Sequence, residues 1–305
     1  MERTLSPRAT IADRALEPFA WCVLAFMVLV VLWGAVVRTT GSGGGCGSHW
    51  PLCNGDFFPH HPRLATIIEF THRSMTGILS TLVIVLTAWI FWRRPAGDRT
   101  RRAALWVVFF LITEAFLGAV LVLGGYVETN ASNARVAMQC IHFTNTMLLL
   151  AALTLTAWWI GHPPRATLSR PNRTLALASV LLTIFVGATG AVAALADTLY
   201  PSPSLRAGIA QDFSANAPLI IRIRWVHPAA FVIALACVAL LCWRVRSRVA
   251  TIVAMLLGLQ IVLGGLDVLL LAPQTMQILH LLGADLFWMA LVVLASEEII
   301  RQRTV

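Results

Sequence analysis

Residues Ile67–Trp92 read IIEFTHRSMTGILSTLVIVLTAWIFW, and how that run is taken decides the fold. It is apolar over a length that crosses roughly 30 Å of hydrocarbon at about 1.5 Å per residue, yet Glu69 and His72 lie near its start. Working outward, further apolar runs cover about 19–37, 103–124, 138–160, 174–196, 225–243, 250–271 and 277–296. Of 305 residues, 58% are hydrophobic and only 12% charged, with a mean hydropathy of +0.78. A water-soluble domain needs far more surface charge, and no stretch remains that could form one. The expectation is an all-α integral membrane protein with eight transmembrane helices. The first run lacks a small-residue cleavage site and begins beside Glu17, so it reads as a retained helix rather than a signal peptide.

All 23 basic residues are arginine, and the net charge is +9. In a soluble protein that balance would raise nucleic acid as a partner; here it is better read through the positive-inside rule, with no nucleic acid implied. Arg93, Arg94, Arg99, Arg101 and Arg102 follow the second run. Arg165, Arg170 and Arg173 follow the fourth, and Arg244, Arg246 and Arg248 the sixth; Arg3, Arg8, Arg14, Arg301 and Arg303 flank the ends. The opposite side carries fewer: Arg38, Arg63, Arg135, Arg206, Arg222 and Arg224. Both termini are therefore expected in the cytoplasm of a bacterial-type cell, with the protein multi-pass in the inner membrane and loops 38–66 and 197–224 outside. The lipid membrane, with its anionic headgroups, is the expected partner of most arginines.

The chain repeats itself. Glu114, Leu117 and Gly118 in the third run match Gln260, Leu263 and Gly264 in the seventh, and Gly34-Ala35 in the first resembles Gly187-Ala188 in the fifth. His72 pairs with His227 at a separation of 155, and His142 with His280 at 138. A four-helix unit duplicated in parallel leaves such a trace, because an even number of spans preserves orientation. The expected fold is thus two pseudo-symmetric four-helix bundles, residues 1–165 and 166–305. Gly118 and Gly264 are expected at close helix contacts.

Of eight histidines, only His72, His142, His227 and His280 fall within the apolar runs, each one to two turns from the outer end of an even-numbered helix. An ionisable residue at that depth marks function by default, and paired imidazoles in a bundle are a common way to ligate haem. One histidine alone would more often be a hydrogen-bonded core residue; four at equivalent positions favour ligation. Zinc suits them less, lacking its third and fourth protein ligands. His49, His60, His61 and His162 are expected to be solvated. Glu69 precedes His72 by three residues on one helix face, whereas Arg224 stands at that place before His227. Arginine is a natural bidentate partner for haem propionates. The asymmetry suggests one site for chemistry and one for holding a cofactor.

The loop after the first run is Thr40-Gly-Ser-Gly-Gly-Gly-Cys46-Gly-Ser-His-Trp-Pro-Leu-Cys53. Outside the membrane Cys46 and Cys53 are free to form a structural disulfide; a redox-active pair is the alternative. Cys22, Cys140, Cys237 and Cys242 lie in apolar runs and behave as small hydrophobes.

That loop, followed by Ile68-Glu69-Phe70-Thr71-His72-Arg73, resembles the haem A synthase family (CtaA type), and the likeness extends over all eight runs and the four histidines. The resemblance implies an oxidoreductase that converts a methyl group of haem O to a formyl group, giving haem A for a terminal oxidase. It implies that Glu69 is the essential carboxylate, that His72 and His142 flank the substrate haem in the first half, and that His227 and His280 ligate haem b in the second. Cys46 and Cys53 match the family's first cysteine pair. A farnesyltransferase would supply haem O, and an unidentified electron acceptor or donor would complete the reaction. Two features depart from the pattern: residues 197–224 contain no second cysteine pair, and Arg224 replaces a neutral polar residue. A dihaem b-type electron carrier linked to quinones explains the histidines and the repeat but not the one-sided Glu69. A transporter would want broken helices near the midplane.

Overall fold

A computed structural model describes residues 11–162 and 172–300. Arg3, Arg8, Arg165, Arg170, Arg301 and Arg303, used above to orient the chain, lie outside the described residues. In hydrocarbon each backbone N–H and C=O must find a partner within its own segment or a closed barrel, and this chain uses helices throughout. They are α1 (Ile11–Thr39), α2 (Leu64–Arg93), α3 (Arg99–Leu123), α4 (Asn133–Gly161), α5 (Arg173–Leu199), α6 (Leu205–Asp212), α7 (Leu219–Arg222), α8 (Val226–Val245), α9 (Arg248–Leu269) and α10 (Gln274–Ile300). By length and composition eight of these are able to cross a membrane, α7 and α8 counting as one span. Among the described residues the sole β feature is an isolated bridge between Cys53 and Asp56.

The helices begin earlier than hydropathy indicates because caps, not apolar residues, start them. Ser132 accepts a hydrogen bond from Arg135 N–H and opens α4 five residues before the expected 138, and Asp98 and Ser247 cap α3 and α9 in the same way. The loop 197–224, expected only as a long outer loop, contains α6, capped by Ser204, and the single turn of α7.

The spans close into two rings. In the first, α1 packs on α2, α2 on α3, α3 on α4 and α4 on α1; in the second, α5 packs on α8, α8 on α9, α9 on α10 and α10 on α5. No comparable contact joins the diagonal pairs α2/α4 or α8/α10 among the described residues. Contacts of α1 and α4 with α5 and α10 join the rings. The packed apolar core lies toward the face where α1 begins and α10 ends, and there Leu16, Met27, Leu86, Leu150, Leu153, Leu241, Leu291 and Leu294 are nearly inaccessible. Outward-facing Ile84, Trp92, Phe116 and Val232 form an apolar belt. On the face where α2 ends and α3 begins, the guanidinium groups of Arg93 and Arg101 lie 4.3 Å from the ring centres of Trp92 and Phe91, a belt typical of a membrane–water boundary.

Polar ties join the rings toward the opposite face. Arg38, in the last turn of α1, donates to Ala194 O at 2.7 Å and Thr198 Oγ1 at 2.6 Å on α5, and to Gln277 Oε1 at 2.9 Å on α10. Gln274 donates to Thr39 O at 2.9 Å. Hydrogen bonds to a charged group contribute about 1.5–3 kcal/mol. Arg38→Met, which keeps length but loses the donors, is therefore expected to lower the melting temperature in detergent by roughly 5–10 °C. A melting curve superposable on that of the unaltered protein would show the tie to be idle.

Candidate functional site

His72, His142 and His280 lie eight, nine and six residues inside α2, α4 and α10, and His227 is the second residue of α8, extended outward by α7. All four are half-buried. Because α8 and α10 stand apart across the second ring, their histidines meet across its interior. The ring centroids of His227 and His280 are 6.4 Å apart, with planes at 80°. A pair of imidazoles at this separation would have room to hold a metal-centred cofactor between them. His72 and His142 stand on α2 and α4, the corresponding diagonal helices of the first ring.

Three of these rings rest on glycines. A Cβ at Gly34 would lie 3.2 Å from His72 Cε1, one at Gly190 2.9 Å from His227 Cε1, and one at Gly264 3.1 Å from His280 Cε1. This corrects the repeat read from sequence. The counterpart of Gly34 is Gly190; Gly187 instead abuts Met147 and Phe143. Gly118 also differs from its expected partner, having open space where Gly264 has His280. Nδ1 of His227 is hydrogen-bonded to Val186 O at 3.0 Å, while Nδ1 of His72, His142 and His280 is buried without a hydrogen-bond partner. No three His, Cys, Asp or Glu side chains gather as a metal-ion site among the described residues. The pairs fit a cofactor that brings its own equatorial ligands, as a porphyrin does.

Glu69 is 3% exposed, about 4.5 Å along the helix axis from His72. Cys46 N–H donates to its Oε2 at 2.7 Å. Arg73, one turn on, donates to Oε1 through both Nε and Nη2. Arg73 Nη1 also donates to His49 O and Leu52 O, each at 2.7 Å. Cys46 and Cys53 form a disulfide, so the loop, the arginine and the carboxylate are one unit. The loop sits directly on α2, with Thr66 Oγ1 donating to Gly45 O at 2.7 Å. A side chain at Gly45 would collide with the Ala65 carbonyl. Arg73 was quoted in the sequence motif without a role; only the fold shows that it binds the loop's carbonyls.

Arg224 occupies the matching place in the second ring with the charges inverted. It donates to Asp197 Oδ1 at 2.6 Å, Asp212 Oδ1 at 2.9 Å and Gly208 O at 3.1 Å. Neither aspartate was singled out from sequence, since each is remote along the chain and α6 was not expected. His49, His60, His61 and His162 are exposed, as expected, and Cys22, Cys140, Cys237 and Cys242 are free thiols.

Fold and site together define an all-α membrane bundle with paired intramembrane histidines, one pair overlain by a disulfide-bearing loop. The chain belongs to the cytochrome oxidase assembly protein family (COX15-CtaA), whose profile matches residues 17–292. It is 40% identical over 299 residues to a protein of Thermus thermophilus named protoheme IX farnesyltransferase, covering 94% of this chain and 49% of that protein. It is 38% identical over 143 residues to a heme A synthase of Halalkalibacterium halodurans, covering 47% of this chain and 45% of that protein. A heme A synthase of Symbiobacterium thermophilum is 33% identical over 159 residues, covering 52% and 49% respectively. The chain spans about half the length of the relatives it matches.

The glycine seats yield a direct test. Gly190→Ala is expected to push His227 off position and strip most bound haem from the purified protein. Gly265→Ala, where nothing lies within 4 Å, is expected to be silent. Equal haem content in the two variants would refute the glycine's role.

Proposed function

We propose that the chain is a haem A synthase, oxidising a methyl substituent of haem O to a formyl group. Membership of the family and likeness to two proteins named heme A synthase support the reaction class. The observation that carries the reading is the unequal dressing of two similar histidine pairs. One is flanked by a buried carboxylate tied to the disulfide loop, the other by a guanidinium held between carboxylates. A carrier of electrons alone gives no reason for that difference.

In this reading the chain has two halves, 1–165 and 166–305, a division supported by the two rings of helix contacts. His72 and His142 hold the substrate haem; His227 and His280 hold a resident haem b, supported by their 6.4 Å separation. The haem iron, when bound, supplies the redox chemistry. Net conversion of a methyl group and one water to a formyl group releases four electrons and four protons, so an electron acceptor is required, a role that one dioxygen reduced to water would fill; two successive monooxygenations would instead consume two dioxygens and need an electron donor. The residues provide placement and charge. Glu69 contributes a fixed negative charge one turn from His72, able to stabilise positive charge on the reacting porphyrin edge or to take a proton. Arg73 and the Cys46 amide hold that carboxylate in place. Arg224 is the proposed partner of the haem propionates; in the structure its guanidinium is engaged by Asp197, Asp212 and Gly208 O, so a propionate would have to share or displace them. The T. thermophilus relative named for protoheme IX farnesyl transfer combines a region like this chain with an equally long remainder. That combination supports a farnesyltransferase as the source of haem O, and a terminal oxidase would consume the haem A. The arginine distribution supports an inner-membrane location with both termini cytoplasmic.

Two experiments test the assignment. His227→Ala is expected to remove most tightly held haem b from purified protein, and an unaltered low-spin bis-histidine spectrum would reassign the ligand. Glu69→Gln keeps an acceptor for Cys46 N–H but loses the charge. It is expected to preserve the disulfide, membrane insertion and haem content while lowering haem O conversion about a hundredfold or more. Near-normal haem A from that variant, measured by chromatography of extracted haem, would reduce Glu69 to an anchor of the loop.

A further inference from the structure

Glu114 is an intramembrane carboxylate that the chemistry above leaves without a use. Glu114 lies inside α3, nine residues from its end at Leu123 and level with His142, nine residues into the antiparallel α4. Its Oε2 accepts from Asn145 Nδ2 at 2.6 Å, and its Oε1 accepts from the Thr146 hydroxyl. Asn145, 9% exposed, is itself fixed by donation to Phe110 O at 2.9 Å and by the Thr113 hydroxyl at 2.7 Å. Two donors on its two oxygens hold Glu114 as an acceptor in the membrane interior, where such a group is costly unless it is used.

Oε1 of Glu114 is 3.6 Å from Nδ1 of His142. That nitrogen is buried with no hydrogen-bond partner, so a shift of a few tenths of an ångström would close the bond. Among the described residues, no other histidine of the four has a carboxylate within ion-pair range. His227 Nδ1 bonds a backbone carbonyl. The repeated position in α9 is Gln260, a neutral amide packed on Gly283, three residues beyond His280 as Asn145 is three beyond His142. The bundle therefore carries a carboxylate behind one ligand of the first pair and an amide at the same place in the second.

A carboxylate on the outer nitrogen of a ligating imidazole fixes its tautomer and orientation and strengthens it as an electron donor, which favours ferric over ferrous iron. We infer that Glu114 is a positioning residue for the first histidine pair, orienting His142 through Nδ1 and lowering the reduction potential of the haem held there. The inference rests on the reading of the histidines as haem ligands.

The test uses the full-length purified protein with its resident haem, reconstituted with haem O as the probe for the first pair. Redox titration by absorbance and the ferric EPR signature are recorded for Glu114→Gln, Glu114→Asp and Gln260→Glu. Glu114→Gln is expected to raise the potential of the haem at His72/His142 and leave the other unchanged, and Glu114→Asp to stay near the unaltered protein. Gln260→Glu, the reciprocal exchange, is expected to lower the potential of the haem at His227/His280. Unchanged potentials and EPR spectra in Glu114→Gln with haem content intact would overturn the inference. If Glu114→Gln fails to hold haem, Gln260→Glu decides, and no downward shift there overturns it. Full haem content at both sites in His142→Ala would instead refute the ligand assignment itself.

Discussion

Each ring of four helices keeps its diagonal members apart, and the histidine sites depend on that separation. Neighbouring helices in a membrane approach closely because small residues allow it; α2 and α4, or α8 and α10, are held off by the two helices between them. Histidines on diagonal helices can then face one another across a gap, and the 6.4 Å between His227 and His280 is a consequence of where the neighbours pack. The seats at Gly34, Gly190 and Gly264 work within this frame, since a ring resting on bare backbone has few places to go. The tight apolar core lies nearer the face where α1 begins and α10 ends, leaving the other half of the bundle for polar groups.

Within that shared frame the two rings differ in charge. The carboxylate Glu69 is held by an arginine and a backbone amide in one; Arg224 is held by two aspartates in the other. Each buried ion is compensated, as burial demands, but the sign at the centre is opposite. The helix contacts of the two rings are alike while the charges beside their histidines differ, so one packing scheme carries two electrostatic environments.

Much of this was legible in the sequence. Length and composition alone yield eight spans, since hydrocarbon leaves few alternatives to a helix. Glu69 and His72 stand out because a titratable pair in an apolar run is conspicuous. Helix starts were misplaced because Ser132 and its like are polar and lie outside the apolar window. The match of Gly34 to Gly187 failed for another reason. Glycine is common in membrane helices, and only the contact with His227 shows that Gly190 is the counterpart. Asp197, Asp212 and the role of Arg73 were out of reach because their partners come from other segments. Glu114 was visible as half of a repeat, yet its meaning required the distance to His142.

Arg38 makes the contact between the two rings one-sided. With Gly34 opposite Gly190 in the repeat, Arg38 falls opposite Ala194, and it is the Ala194 carbonyl that Arg38 binds. Its other acceptors, Thr198 and Gln277, also belong to the second ring. Two identical units associating face to face would bring two guanidinium groups to this one place, each repelling the other and competing for the same oxygens. A single polypeptide escapes the conflict by keeping the arginine in one copy and alanine in the other. The tie runs from the first ring to the second with no reciprocal partner, and it makes the two rings unequal where they meet.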